Sequence, residues 1–415
     1  LLEWTRSRLF NWNNLAVSQY RNLALIQLAA FTGSYGINFL IALAGGALYA
    51  ACRTGFRGPG LRVLLAAVLT LTLAMLGGLI RLDREKPVKP NWFPAVIQGD
   101  ISQRRNANTN QAQEALEIYL QLSRDALAGK PKPEILLWPE SAVPVPYRST
   151  HSVSFLFRIG LQNLILQSGV PMLIGAIDFE DKLPGSATPP GMTNSALFFN
   201  HRGRLRHKYD KIHRVPYGEY IPFRRCLPGF IVRMIDMNRD LVPGADYNPI
   251  EVRSDVRAGT AICYEGVFGY LTREFARRGA NVLVVLSNDA WYPKSSEPEQ
   301  HLANATLRAV ETGLPMVRCG NNGGSLVVTP YGRITQVLTV DGPEQRPELR
   351  RGRGVKTLAV GVEPSPSYTF YVRHGEWFIA VLAAVEAVFW LAAFAGFKKR
   401  KQALLDAIRR PGAGS

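Results

Sequence analysis

Three apolar runs constrain this chain more than any other feature. Residues 35–52 read YGINFLIALAGGALYAAC, residues 63–80 read VLLAAVLTLTLAMLGGLI, and residues 377–397 read WFIAVLAAVEAVFWLAAFAGF. A helix that crosses the hydrocarbon core needs about 20 residues, within a range of about 17–25. The competing reading is a buried core helix. The lack of Lys and Arg inside the runs, and the basic residues beside them, favour membrane spans.

The short loops orient these spans. RTGFRGPGLR (53–62) carries three Arg and no acid, and KKRKQALLDAIRR (398–410) follows the last run. Short loops rich in Lys and Arg stay on the cytoplasmic side. Both loops therefore point inward, and the long segment between the second and third spans lies outside. Residues 23–31, LALIQLAAF, are too short to span and suit an interfacial or re-entrant piece, with Trp4 and Trp12 nearby. Glu386 falls within the last apolar run. A carboxylate there is costly, so it is expected to face other helices or to be protonated, with helix pairing favoured over a functional role.

Between the spans the pattern changes. Strand-like runs include 93–99, 134–140, 171–177, 195–200, 259–265, 281–289, 315–320, 324–330 and 356–362. Several are almost wholly apolar, as in strands covered on both faces. Residues 111–128, 151–168, 267–279 and 298–313 carry helical spacing. Alternating strands and helices imply an α/β domain. Three regions result: a membrane region over 1–90, a catalytic block over 91–365, and a last span with a basic tail over 366–415. Pro- and Gly-rich stretches at 184–191 and 222–229 read as loops, and GNNGGS (320–325) reads as a turn.

The net charge of +17 over 415 residues points to an acidic partner. The short basic stretches sit beside the spans, which favours an anionic membrane over nucleic acid. No CxxC, HxxxH or HExxH spacing is present, so neither a metal nor another cofactor is expected. Cys226 and Cys319 could pair outside the cytosol, but two buried thiols are the favoured reading.

Three strand ends carry reactive groups. LLWPES places Glu140 just after a Pro that stops ladder pairing. HKYDKIHRVPYGEYIP (207–222) carries Lys208, Lys211 and Glu219. AGTAICYEGV (258–267) places Cys263 between an apolar run and a helix, followed by Tyr264 and Glu265. A Cys at such a turn gains backbone donors for an oxyanion and a helix N-terminus that favours thiolate. Glu, Lys and Cys together supply base, cation and nucleophile for acyl transfer. Taken singly, each has an ordinary reading: a buried thiol, a solvated Lys, a solvated Glu. Spacing does not show that they meet.

With WPES, YDKIHRVPYGEYIP, ICYE and LSNDAWY (286–292), the block resembles the nitrilase superfamily across nearly all of 91–365. The flanking spans make it similar to one branch, the apolipoprotein N-acyltransferases. That resemblance implies an αββα sandwich set between transmembrane helices. It implies Glu140 as general base, Lys211 as the cation beside the oxyanion and Cys263 as nucleophile, with Glu219, Tyr264 and Glu265 in support. Glu265 is expected to bond backbone or Lys211 rather than act as the base. The implied reaction is ping-pong: a membrane phospholipid acylates Cys263, and the α-amine of an S-diacylglyceryl-cysteine apolipoprotein takes the acyl chain. The implied location is a bacterial inner membrane with the catalytic block on the periplasmic side, and a monomer is expected. The branch has more membrane helices ahead of the position that is Leu1 here, so an N-terminal truncation is expected. It also has a Trp in the loop after the first strand, and ISQRRNANTNQAQEA (101–115) has none. Two other readings compete. One is a membrane-tethered amidase acting on a small C–N substrate with water, and the other is a non-catalytic membrane scaffold.

Overall fold

A computed structural model describes residues 1–102, 109–181, 190–235, 240–292, 295–340 and 346–409. Parts of the loops expected at 101–115 and 184–191 lie outside the described residues. The first sheet holds β1 (Pro94–Gln98), β2 (Ile135–Val143), β3 (Met172–Phe179), β4 (Met192–Phe199) and β5 (Leu205–Asp210). The second holds β6 (Ile250–Arg253), β7 (Val256–Ile262), β8 (Val282–Ser287), β9 (Met316–Gly320), β10 (Leu326–Val328) and β11 (Ile334–Thr335). The last strand, β12 (Gly354–Thr357), returns to the first sheet beside β1. The orders are β12-β1-β2-β3-β4-β5 and β11-β10-β9-β8-β7-β6. Strands β1–β3 and β7–β9 run parallel, and the outer strands are antiparallel.

Alternation along each strand builds the layers. In β2, Leu137 enters the core between the sheets, while Leu136 and Trp138 enter the core on the other face. Side chains of successive strand residues point to opposite faces, so one apolar run fills two cores. The seven longer helices are α1 (Ser34–Arg53), α2 (Gly58–Asp83), α3 (Thr109–Ala128), α4 (Ser152–Ser168), α5 (Gly269–Arg277), α6 (Glu297–Thr312) and α7 (Trp377–Arg409). Leu116 and Tyr119 of α3 and Phe157 and Leu161 of α4 cover the first sheet. Leu271 and Phe275 of α5 and Leu302 and Ala305 of α6 cover the second. The result is the αββα sandwich that the resemblance implies.

Helices α1, α2 and the first part of α7 are long and apolar enough to cross a membrane. The 23–31 segment forms two short helices, Leu23–Ile26 and Ala29–Thr32. Leu25, Ile26 and Ala29 pack against Ala303, Leu307 and Val310 of α6. Helix α2 crosses this segment so closely that a Cβ at Gly78 would lie 1.8 Å from the Ala24 carbonyl oxygen.

Three expectations change. Glu386 is exposed on α7, so the helix-facing half of that expectation does not hold within this chain. The ring pair Phe39–Phe378 joins α1 to α7 only near the start of α7. Cys226 and Cys319 are both free; Cys319 is buried, but Cys226 is exposed on the 222–229 loop. Strands β5, β6 and β11 were not among the expected runs.

Leu137 is fully buried between the two sheets. Leu137→Ala should destabilise the protein by about 2–5 kcal/mol, read as a lower thermal unfolding midpoint in detergent. An unchanged midpoint would contradict this packing.

Candidate active site

The polar groups gather where the parallel strands of both sheets end. Glu140 sits near the end of β2, where the register with β3 shifts and Ser141 adopts φ +53°. The bulge presses on β3: a Cβ at Gly175 would lie 2.3 Å from the Pro139 oxygen and 2.6 Å from Glu140 Cα. Glycine is therefore required there. Lys211 follows β5 directly, and its N–H donates to the Asn194 carbonyl of β4 at 2.8 Å. Cys263 follows β7 and opens a 3-10 turn, Cys263–Val267.

Lys211 is 1% exposed. Its Nζ lies 3.1 Å from Glu140 Oε1 and 3.0 Å from Glu219 Oε1. Asn194 Nδ2 donates to the same two oxygens at 2.8 Å each. Glu219 Oε2 accepts from the Val215 N–H at 2.7 Å. Burial disfavours the Lys211 charge, but Glu140 and Glu219 outweigh it and hold the ammonium well above its ordinary range. Glu140 Oε2 is buried and has no hydrogen-bond partner among the described residues. Lys208 stands apart, bonded to Asp210 and the Phe179 carbonyl.

Glu265 is fully buried and acts as a bracket. Its carboxylate accepts from the backbone N–H of Ile212 (2.7 Å), His213 (3.0 Å) and Ile262 (2.8 Å), and from Tyr209 Oη (2.9 Å). The loop after Lys211 and the strand before Cys263 are thus tied to one side chain. Burial pushes the Glu265 carboxyl up to about 7, opposed by those backbone donors and by Lys211.

Cys263 is half-buried and has φ +51°. For a residue with a Cβ, this conformation costs on the order of 1–3 kcal/mol and persists only when neighbours enforce it. Both ends of the turn are enforced. His301 Nε2 meets the Cys263 carbonyl at 2.9 Å. At the other end, the Val267 carbonyl accepts from Asn11 Nδ2 at 2.6 Å and also from Arg308. Burial and the Glu140 charge push the Cys263 thiol well above its ordinary range, with Lys211 pulling the other way. At neutral pH the resting sulfur therefore keeps its proton. Tyr264 stacks against Trp12 at 6.0 Å and meets the Phe268 ring edge-on at 5.0 Å, locking the turn to the N-terminal segment.

Donor atoms of Cys263, Asp289 and His301 lie within 4.8 Å of one another. This raises two other chemistries, a metal centre and a Cys–His–Asp relay. The donor set fits neither. His301 Nε2 is taken by a carbonyl, Nδ1 by Asp289 at 3.0 Å, and Asp289 by the Arg318 guanidinium at 2.6 Å. A guanidinium in the cluster repels a cation, and the imidazole faces the cysteine's carbonyl rather than its sulfur.

Asn194, Asp289, His301 and Arg318 were not singled out from the sequence. The apolar run SALFFN (195–200) begins one residue after Asn194, so Asn194 falls outside it. The LSNDAWY motif contained Asp289, but an isolated Asp gives no sign of its partner.

The carbon-nitrogen hydrolase family matches residues 95–344, and the apolipoprotein N-acyltransferase N-terminal domain matches residues 1–47. An apolipoprotein N-acyltransferase from Geobacter metallireducens is 33% identical over 407 residues, covering 95% of this chain and 72% of that one. One from Brucella suis biovar 1 is 32% identical over 398 residues, covering 92% and 69%. A solved amidase from Nesterenkonia sp. is similar at 18% identity and a TM-score of 0.46, covering 71% of this chain and 98% of that one. With its hydrolase-type sandwich between membrane-length helices, the chain belongs to the apolipoprotein N-acyltransferase family.

Proposed function

We propose that the chain moves an acyl chain from a membrane phospholipid to the α-amine of an S-diacylglyceryl-cysteine apolipoprotein, with Cys263 as the carrier. One observation carries the mechanism: Glu140 Oε2 is buried and unpartnered, while Oε1 is held by Lys211 and Asn194. That oxygen is the base. It takes the proton that the raised thiol holds at rest. The sulfur attacks the ester carbonyl, and the developing oxyanion is stabilised by the Lys211 charge and by backbone N–H at the open end of the 3-10 turn. The C–O bond breaks, Glu140 returns the proton to the departing lysophospholipid oxygen, and a thioester remains. In the second half the amine attacks. Glu140 takes its proton, the C–S bond breaks, and the thiolate is reprotonated. Glu219 and Glu265 hold Lys211 and its loop without taking part in proton transfer.

Exposed apolar groups support lipid access. Phe223 is 81% and Met234 80% exposed, both after Lys211 in the chain, and Trp291 and Tyr292 after β8 are half exposed. Tyr292 lies within electrostatic reach of the Cys263 side chain. Aromatic side chains suit the membrane–water interface. The division into a membrane region (1–90), a catalytic block (91–365) and a final span with its tail (366–415) follows from this reading. So does placement in a bacterial inner membrane with the block on the periplasmic side. The basic 53–62 and 398–410 segments support that orientation and contact with an anionic leaflet. The reading takes the protein to act as a monomer.

Incubation with acyl-labelled phospholipid should yield a hydroxylamine-labile acyl mass on Cys263. A diacylglyceryl-cysteine peptide should discharge it. Cys263→Ala should carry no label, and Glu140→Gln should acylate at least 100-fold more slowly, about the loss of a general base. Rapid discharge by water without peptide would instead support the amidase reading. For topology, a membrane-impermeant maleimide applied to intact spheroplasts should label the exposed Cys226 and spare Cys52. The reverse pattern would overturn the orientation.

A further inference from the structure

Helix α6 brings a fully buried histidine to the carbonyl of the nucleophile. The C=O of Cys263 can only accept, so His301 Nε2 carries a hydrogen. On the other side, Nδ1 faces Asp289 Oδ1 at 3.0 Å. The donors near Nδ1 are already committed. Ser287 Oγ, 3.4 Å away, donates to Asp289 Oδ1 at 2.8 Å, and Arg318 Nη2, also 3.4 Å away, donates to Asp289 Oδ2 at 2.6 Å. Both ring nitrogens therefore look at acceptors, which is the hydrogen-bond pattern of an imidazolium.

We propose that His301 is a positioning residue for acyl transfer: its imidazolium, anchored on Asp289, holds the Cys263 carbonyl, fixes the left-handed turn and polarises the Cys263–Tyr264 peptide. This rests on the reading of Cys263 as the acyl carrier. A charge-assisted bond to a carbonyl is stronger than a neutral one. Hydrogen bonds in series polarise one another, so pulling on the C=O makes the N–H of the same peptide a better donor. That N–H belongs to Tyr264, at the open end of the turn and next to the attacking sulfur. His301 thus works on the oxyanion through one shared peptide.

The charges around the ring agree. Burial opposes the His301 charge, but Asp289 outweighs it and raises the ring above its ordinary 6.5, against the Arg318 charge. Glu297 Oε1 approaches Nδ1 at 3.5 Å, and burial together with Asp289 pushes its carboxyl up to about 7. Other neighbours among the described residues include the Ser287 hydroxyl, the Trp12 ring at 5.8 Å and the protonated Cys263 thiol. The sign follows: a raised histidine is charged below its folded pKa and loses the effect as pH climbs through it.

The test is the single-turnover rate of Cys263 acylation by labelled phospholipid in wild type, His301→Gln and His301→Leu. Gln offers an uncharged N–H near the Nε2 position, whereas Leu offers none. His301→Leu should slow acylation about 10- to 100-fold, less than the outright loss of an oxyanion donor. The apparent KM for phospholipid should stay within about twofold. His301→Gln should recover much of that rate near pH 8. The ratio of wild-type to His301→Gln rates should fall as pH rises between about 6 and 9, because only the histidine loses a charge. Unfolding midpoints establish that both variants fold. If His301→Leu does not fold, the pH ratio decides. Overturning results are a wild-type rate in His301→Leu, equal impairment of both folded variants, or a ratio that does not change with pH. Failure of wild type itself to form the thioester would overturn the proposed function instead.

Discussion

The Lys211 ammonium lies about equally far from Glu140 and Glu219, at 3.1 and 3.0 Å, so two carboxylates from different elements share one buried positive charge. A buried charge is tolerated only when paired and hydrogen-bonded, and removing one partner leaves the others exposed to the full desolvation cost. Asn194 satisfies the two carboxylate oxygens a second time. The cluster is therefore rigid and carries excess negative charge. That excess explains the thiol. A cysteine beside Glu140 in a dry site keeps its proton, and Lys211 offsets only part of the penalty. In the proposed mechanism a nucleophile that rests as a thiol needs a base at hand, and the unpartnered oxygen of Glu140 is placed to be one.

Helix α6 extends this logic to the membrane side. Its residues from His301 to Thr312 are all buried, polar ones included. His301 holds the start of the nucleophile turn, and Arg308 holds its end. Arg308 pairs with Glu311, which in turn accepts the Ser34 N–H that opens α1 at 2.8 Å. From the first membrane-length helix to Cys263, then, polar contacts run through a single helix. A purely apolar interface would leave register free, whereas directional bonds fix it.

Much of this was legible in the sequence, and the parts that were not share a cause. Strands covered on both faces read as apolar runs, so β1, β2, β3, β7, β8 and β9 were found. Strand β5 reads LRHKYD, with Leu205 and Arg206 exposed, and β6 reads IEVR. Edge strands face water on one side, and their mixed character leaves no run to find. Glu140 and Cys263 stand out because each lies at the end of an apolar strand within a family motif, and Lys211 stands out through its motif alone. His301, Arg308 and Glu311 do not. A helix bearing charge on several faces ordinarily reads as a surface helix. What buries the face of α6 turned away from the sheet is the N-terminal segment, 277 residues away in sequence for the pair Ser34–Glu311. No local pattern records a partner so distant.

The same distance argues that the N-terminal segment supports the proposed site and is more than a tether. Asn11 bonds the Val267 carbonyl, Trp12 stacks on Tyr264 and donates to Gln300 at 2.8 Å, and Tyr20 donates to Glu299 at 3.0 Å. These contacts cover the face of α6 and the nucleophile turn that a free-standing αββα domain would leave open to water. Water there would compete for the Cys263 and Val267 carbonyls and screen the charges of His301, Asp289 and Arg318. A left-handed cysteine needs its neighbours to enforce the turn. Here the enforcing groups come half from the sandwich and half from the N-terminal segment that precedes the first membrane-length helix. In the proposed mechanism, the carrier sulfur is thus shaped by the same segment that would bring it to lipid.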